Sequence, residues 1–206
     1  MPPRDDQEYE QRRQQIITGA LQAFSSKGFD RASNRDIAEA AKIGSPGLIY
    51  HYFKDKEDLL YQVLLERMPL LQALDIASGL LDLPPQELLP RIADLLDSVL
   101  SSEATVAILR IVLAEAIRNP RVAQMVNEIG PGRALRMFSG YLEQQMAAGR
   151  LRRMDTGIAA RLFVGPILAY MMTRFIFQQE DVQTISPGAM VRGTAEAFLR
   201  ALAPEP

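Results

Sequence analysis

The sequence predicts an all-α protein, with an N-terminal three-helix helix-turn-helix domain over residues 1–55 joined to a larger helical domain over residues 56–206. Three observations predict this. Apolar residues recur at three- and four-residue spacing along nearly every segment and do not alternate as in a half-buried strand. Residues 33–53 hold two helix starts on either side of a tight turn. Proline and glycine cut the remainder into segments of ordinary helix length, with no internal repeat or low-complexity tract.

Residues 1–8 carry two prolines and a polar cluster with nothing to pack against, and are expected to form a loose arm. From about Tyr9 the spacing of Ile16, Ile17, Ala20, Leu21 and Phe24 marks a helix, with Gly28 as its C-terminal cap and Phe29 as a plug for the small core. Ser33 caps the next helix, and Asp36 three places on completes a capping box. Lys42 to Gly44 make the turn. Ser45 and Pro46 then open a second short helix, a cap oxygen followed by a residue whose missing N–H would be unpaired there in any case. On it Ile49 and Phe53, four apart, face inward, while Tyr50, His51 and Tyr52 leave two hydroxyls and an imidazole outside. Helix, turn and helix with a polar aromatic outer face is an arrangement suited to a DNA major groove.

Asp55 and Asp58 frame the start of a longer helix whose inner side is Leu59, Leu60, Val63, Leu64 and Met68, with Pro69 ending or kinking it. Leu80 to Pro85 reads as a loop. Ile92 to Leu100 and Ile108 to Ile117 mark two helices, the second stopped before Pro120, and a short helix follows up to the Gly130-Pro131-Gly132 break. Leu135, Phe138, Leu142 and Met146 carry the next helix to a Gly149 cap. Asp155 opens the most apolar segment, through Phe177, and Pro187 opens a last helix to Leu202.

Composition narrows the function classes. With 48% hydrophobic and 23% charged residues the chain is an ordinary globular protein, which excludes wholesale disorder. It has no cysteine and one histidine, so disulfides, thiolate chemistry and a Cys/His zinc site are excluded, no cofactor or metal is expected, and a reducing cytoplasmic setting suits it. The N-terminus has no apolar run behind its charge and is not read as a secretory signal. The longest apolar run, Leu162 to Thr173, lies between Arg161 and Arg174 and is expected to be too short to cross a bilayer, so no membrane partner is expected. Residues 1–56 hold nine Lys/Arg against eight Asp/Glu, and the rest fourteen against seventeen, which leaves a weakly basic first quarter with Arg35, Lys42, Lys54 and Lys56 near the proposed reading helix.

Ile37-Ala38 through Ala41, then Ser45-Pro46-Gly47-Leu48-Ile49-Tyr50-His51-Tyr52-Phe53 and Lys56-Glu57-Asp58-Leu59-Leu60, resemble the DNA-binding signature of the TetR family of transcriptional regulators. The resemblance extends upstream through Ala23 to Ser33, covers the first third of the chain strongly, and reaches the remainder only by length, helical pattern and loop placement. One departure is an extra turn residue, with Gly44 resembling an insertion, which bears on the angle between the two helices. The resemblance implies a homodimeric regulator of double-stranded DNA, more often a repressor, released from a palindromic operator by a small apolar or aromatic effector. At the matching positions Arg35, Pro46 and His51 would reach base edges. Ser33, Asn34, Gly47, Tyr50, Tyr52 and Lys56 would hold the phosphate backbone, with Ser45 offering its cap at a helix start.

Small residues four apart, Gly165 with Ala169 and Gly193 with Ala197, would let two helices approach a second copy closely. Periodicity alone allows ordinary core positions equally well, and the resemblance tips the reading to a dimer. Met125, Phe138, Tyr141, Phe163, Tyr170, Met171 and Phe175 are the candidates for lining an effector cavity, with plain core packing as the alternative. Arg110, Glu115 and Arg118 are charged candidates beside them, for which a solvated face is the expected home. An enzyme is not expected: His51 has no carboxylate, nucleophile or phosphate loop at a convincing spacing. The alternatives kept are a DNA-binding regulator without an effector and a helical protein-interaction adaptor, the latter leaving Tyr50, His51, Tyr52 and Lys56 without a task.

Overall fold

The computed structural model describes residues 4–204, and among them none lies in a β-strand. The described α-helices are α1 (Arg4–Lys27), α2 (Asn34–Ala40), α3 (Lys56–Arg67), α4 (Pro69–Ser78), α5 (Pro85–Leu100), α6 (Glu103–Arg118), α7 (Pro120–Ile129), α8 (Pro131–Ala147), α9 (Thr156–Met171) and α10 (Pro187–Ala201). Between α2 and α3 the segment Pro46–His51 is a 3₁₀ helix rather than an α-helix, and α9 runs on into a π turn, Met172–Ile176. The chain forms two compact units, Met1–Met68 with Ala107–Met125, and Pro69–Val106 with Val126–Pro206. This division differs from the expected one at residue 55. Leu59, Leu60, Val63 and Leu64 bury α3 in the first unit, and most of α6 joins it there.

In the first unit Ile16, Ile17, Phe24, Phe29, Ile37, Ile49, Phe53, Leu59 and Val63 form a core in which every side chain is almost fully buried. Burying each such side chain is worth roughly 1.5–3 kcal/mol. The sequence signals that set the ends of these helices act as expected: Gly28 stops α1 at φ 79°, Ser33 and Asp36 make both bonds of the capping box, and Asp55 Oδ1 accepts from the Asp58 N–H at 2.7 Å. The loose arm is corrected. Residues 4–8 are helical, because the polar residues behind them have partners: Glu10 accepts from Arg13 and Gln14, and the Tyr9 ring lies 4.6 Å from that of Tyr52. Residues 1–3 lie outside the described residues.

A polar seam closes α1 on α3. Arg13 pairs with Glu66 at 2.6 Å and donates to Gln62 at 2.9 Å, while Gln14 donates to Glu66 and accepts from Arg67, both at 2.6 Å. Further along, α1 meets the end of α2 so closely that a Cβ at Gly19 would lie 2.5 Å from the Ala41 nitrogen.

In the second unit α5 packs on α10 and α4, and α9 packs on α8 and α10. Its core is Leu88, Leu89, Ala93, Phe138, Leu142, Ala160, Phe163, Val191 and Phe198. Gly188 at the start of α10 donates its N–H to Asp97 Oδ1 at 2.7 Å, and Arg192 pairs with Asp94 at 2.8 Å. The apolar run Leu162 to Thr173 sits inside a longer helix: Thr156–Ile176 has 21 residues, and its most apolar 18-residue window has a mean hydropathy of 1.3, a length and composition that a core helix of a globular protein shares with a membrane span. Arg161 and Arg174 do not interrupt it, since their guanidinium groups reach backbone carbonyls, of Gly157 in one case and of Val182, Gln183 and Ile185 in the other.

Because the atom that a Gly19 methyl would strike is backbone, the clash cannot be relieved by a rotamer change. Gly19→Ala is expected to destabilise the chain by about 1–3 kcal/mol, read as a lower urea midpoint at unchanged slope.

Candidate nucleic-acid interface

Helix α2 presents its N-terminal turn to solvent because its inner face, Ile37 and Ala38, is consumed by the core. Ser33 Oγ accepts from the Asp36 N–H at 3.2 Å and donates to Asp36 Oδ2 at 2.7 Å, so the hydroxyl expected to reach phosphate is already engaged in the cap. Asp36 also pairs with Lys27 at 2.6 Å; that bond, followed by those from Ser33, holds its carboxyl well below the usual carboxylate range. Arg35 next to it is exposed.

The turn is built by Lys42 rather than by a glycine. Lys42 takes φ 54°, its N–H bonds to the Glu39 carbonyl at 3.1 Å, and the Ile43 N–H bonds to Ala38 at 3.0 Å with the Ile43 side chain buried. This is a Schellman stop with a lysine in the left-handed position, which carries a strain of about 1–2 kcal/mol for an L residue. Gly44, the extra turn residue, is exposed, and no atom lies within 4 Å of where its Cβ would be.

Ser45 caps the 3₁₀ helix by accepting from the Gly47 N–H at 3.3 Å, with Pro46 in its first turn. Ile49 and Phe53 are buried as expected, which turns Ser45, Pro46, Gly47, Tyr50 and His51 outward. Asn34 joins the two helices by donating from Nδ2 to the Tyr50 hydroxyl at 2.6 Å. Tyr52 is half-buried between Tyr9 and Phe53. The result is a continuous exposed surface across the start of α2 and the 3₁₀ helix.

Lys56 stands differently from the expectation. It is half-buried at the first position of α3, with its ammonium 4.5 Å from the Phe29 ring centre and donating to the Asp30 carbonyl at 3.2 Å. Ring and carbonyl both favour the cation there, so the side chain is drawn back from the surface that Tyr50 and His51 present. Glu115 is a further correction. Expected on a solvated face, it is 5% exposed, and burial followed by the Asp30 carboxyl pushes its own carboxyl above the ordinary range.

The candidates for an effector cavity fall in two places. Met125 belongs to the first unit, where with Tyr61, Val122, Arg121 and the acidic start of α3 it lines a cavity of about 220 Å³. Phe138, Tyr141, Phe163, Tyr170, Met171 and Phe175 belong to the second and are buried. Phe138 lies 4.9 Å from Phe163, and Phe198, which the sequence did not single out, joins both rings. The Tyr141 and Tyr170 hydroxyls donate to the carbonyls of Leu83 and Ile185. Gly165 and Ala169 on α9, and Gly193 and Ala197 on α10, are exposed, and nothing lies within 4 Å of a Cβ built on either glycine. Ile158 and Leu162, also exposed, continue the α9 stripe at helical spacing.

Comparison with known proteins supplies independent findings. Residues 87–204 match the family model of the AefR-like transcriptional repressor C-terminal domain, and residues 16–63 match that of the bacterial regulatory proteins, tetR family. Among curated relatives, the regulator HbdR of Aromatoleum sp. (strain CIB) is 47% identical over 55 residues, 27% of this chain and 24% of that protein. UidR of Escherichia coli (strain K12) is 30% identical over 116 residues, 55% and 56% of the two chains. The chain thus matches about a quarter to a half of these relatives' length. Among solved structures, a TetR-family regulator from Mesorhizobium loti MAFF303099 is 26% identical at a TM-score of 0.74, covering 94% of this chain and 98% of that one. The flavonoid-responsive regulator FrrA is 25% identical at 0.72, covering 96% and 100%.

Proposed function

The chain belongs to the TetR family of DNA-binding transcriptional regulators, and from that premise we propose that it is a homodimeric repressor released from a palindromic operator by a small apolar effector. The observation that carries the DNA half is the exposed surface of Arg35, Pro46, Gly47, Tyr50 and His51, with the half-buried Asn34 bonded to Tyr50 at its edge, held from beneath by Ile37, Ile49 and Phe53. Arg35, Pro46 and His51 serve as base readers. Asn34, Gly47, Tyr50 and Tyr52 serve the phosphate backbone, joined by Ser45 at its helix start and by Ser33 through the turn it caps. Lys56 joins them only by leaving the Phe29 ring and the Asp30 carbonyl, and so contributes less than a free surface lysine.

The dimer reading rests on the uncovered stripe of Ile158, Leu162, Gly165 and Ala169 on α9 beside Gly193 and Ala197 on α10. Such a stripe fits a second copy about a two-fold axis, since the small residues admit close helix approach and the large ones add burial. The same occupant accounts for the apolar length of α9 without a bilayer. The effector reading is supported by the relation to a flavonoid-responsive regulator and by the aromatic core around Phe138 and Phe163. An effector switches DNA binding only if it binds one head spacing better. Linkage makes that coupling reciprocal, so titration of a thermal-shift hit must give weaker ligand affinity with operator present than without.

Selecting bound duplexes from a random DNA pool tests the main reading and is expected to return a palindrome with half-site centres about 34–36 Å apart or a multiple of one turn. On that duplex Arg35→Ala is expected to cost about 1–3 kcal/mol and to relax preference at one position per half-site. An unchanged preference removes Arg35 from the base readers. Ala197→Glu is expected to give a monomer by light scattering, because the close approach leaves no room for a desolvated carboxylate; a persistent dimer places the interface elsewhere.

A further inference from the structure

Helix α6 begins in the second unit and ends in the first. Its last turns carry Glu115, 5% exposed, whose Oε1 has no hydrogen-bond partner among the described residues. Three charged groups face it: Asp30 from the segment between α1 and α2, Lys56 from the first turn of α3, and Arg118 from α6 itself. Lys56 does not complete the site. Its ammonium lies against the Phe29 ring and donates to the backbone oxygen of Asp30, not to either carboxylate. Glu115 therefore meets a second carboxyl, that of Asp30, within hydrogen-bond reach. Two ionised carboxylates in this position repel and leave a buried oxygen unsatisfied, whereas one proton turns the repulsion into a hydrogen bond.

We propose that Glu115 and Asp30 form a proton-operated latch between α6 and the DNA-reading unit, closed while Glu115 is protonated and loosened when it ionises, so that operator affinity falls as pH rises. The loss of affinity follows from entropy: a reading unit no longer held by α6 must be ordered on binding DNA. The direction of the Glu115 shift agrees. Burial and then Asp30 raise its pKa from 4.5, against the opposing effect of Arg118 and Lys56. A group raised in the folded state contributes stability that is fully present below its unfolded pKa and lost as pH rises through the folded one. The latch therefore opens on the alkaline side of the ordinary glutamate range. The affinity half rests on the DNA-binding reading above, whereas the carboxyl pair does not.

The test uses the full chain and its Glu115→Gln and Asp30→Asn variants, melted and titrated with the selected operator duplex between pH 5 and 8 at fixed ionic strength. In Glu115→Gln an amide N–H permanently replaces the shared proton. Comparison between variants cancels every titration common to them. The wild-type Tm is expected to fall by about 2–4 °C more than that of Glu115→Gln across this range, and its operator affinity by about tenfold, the equivalent of one pKa unit. Glu115→Gln should lack this component, and Asp30→Asn should show a smaller one, since burial alone still raises the Glu115 carboxyl there; a component undiminished in Asp30→Asn also overturns the pair. Parallel melting profiles overturn the pair, and a melting difference with parallel affinity profiles overturns the latch. If no variant binds any selected duplex at any pH, the DNA reading fails with the affinity half, and the melting profiles alone then decide the carboxyl pair.

Discussion

The exposed surface formed by α2 and the 3₁₀ helix depends on how α1 is clamped. Its apolar face supplies Ile16, Ile17, Ala20 and Phe24 to the core, and its small residue Gly19 lets the end of α2 come within backbone contact at Ala41. The opposite edge is tied to α3 through Arg13, Gln14, Glu66 and Arg67. Exposed ion pairs are worth little singly. A seam in which each side chain has two partners instead fixes the rotation of α3 about α1, and with it the place where Asp55 starts α3 just after the 3₁₀ helix. The 3₁₀ segment is too short to hold itself in water. Its orientation is borrowed from Ile49 and Phe53, which sit in the core that α1 closes.

The ends of the elements were legible because the signals that set them are local. Ser33 with Asp36, Ser45 with Pro46, Asp55, Asp155, Gly28 and Gly149 each act on a backbone group within a few residues, and each cap lies where spacing placed it. Features that depend on distant partners were not. Nothing near Gly19 points to Ala41, nor near Gly188 to Asp97, because close approach is a property of two helices and leaves no mark on one. Glu115 was misplaced for the same reason: a carboxylate among Ala114 and Ala116 reads as solvated until the fold brings Asp30 to it from 85 positions away. The extension of α1 to Arg4 escaped the reading because short polar helix ends look like tails until their partners, here Tyr52 for Tyr9, are known.

Within the proposed DNA interface the same distinction separates orientation from identity. The burial of Ile49 and Phe53 decides that Tyr50 and His51 face outward, and the sequence spacing suffices for that. The state of each polar group is decided by neighbours. Ser33 spends its hydroxyl on Asp36, and the Tyr50 oxygen accepts from Asn34, which leaves its own proton free to donate outward. A hydroxyl so oriented suits a phosphate oxygen better than a base-edge donor, and Tyr50 thereby gains a direction that a solvent-rotating tyrosine lacks.

The aromatic content of the second unit is a constraint on any effector. Phe138, Phe163 and Phe198 are in mutual ring contact, and the hydroxyls of Tyr141 and Tyr170 are spent on backbone carbonyls of distant segments. Rings in mutual contact must separate to admit a ligand between them, and protein interiors are close-packed enough that such a separation is passed on to neighbouring elements. A ligand entering among them must therefore part α8 from α9 or α10, and the cost of doing so is met only if the ligand replaces the ring contacts it breaks. That requirement favours an apolar, flat molecule over a polar one. It also means that entry and helix displacement are a single event, which is the condition for a ligand to bias one arrangement of the helices over another.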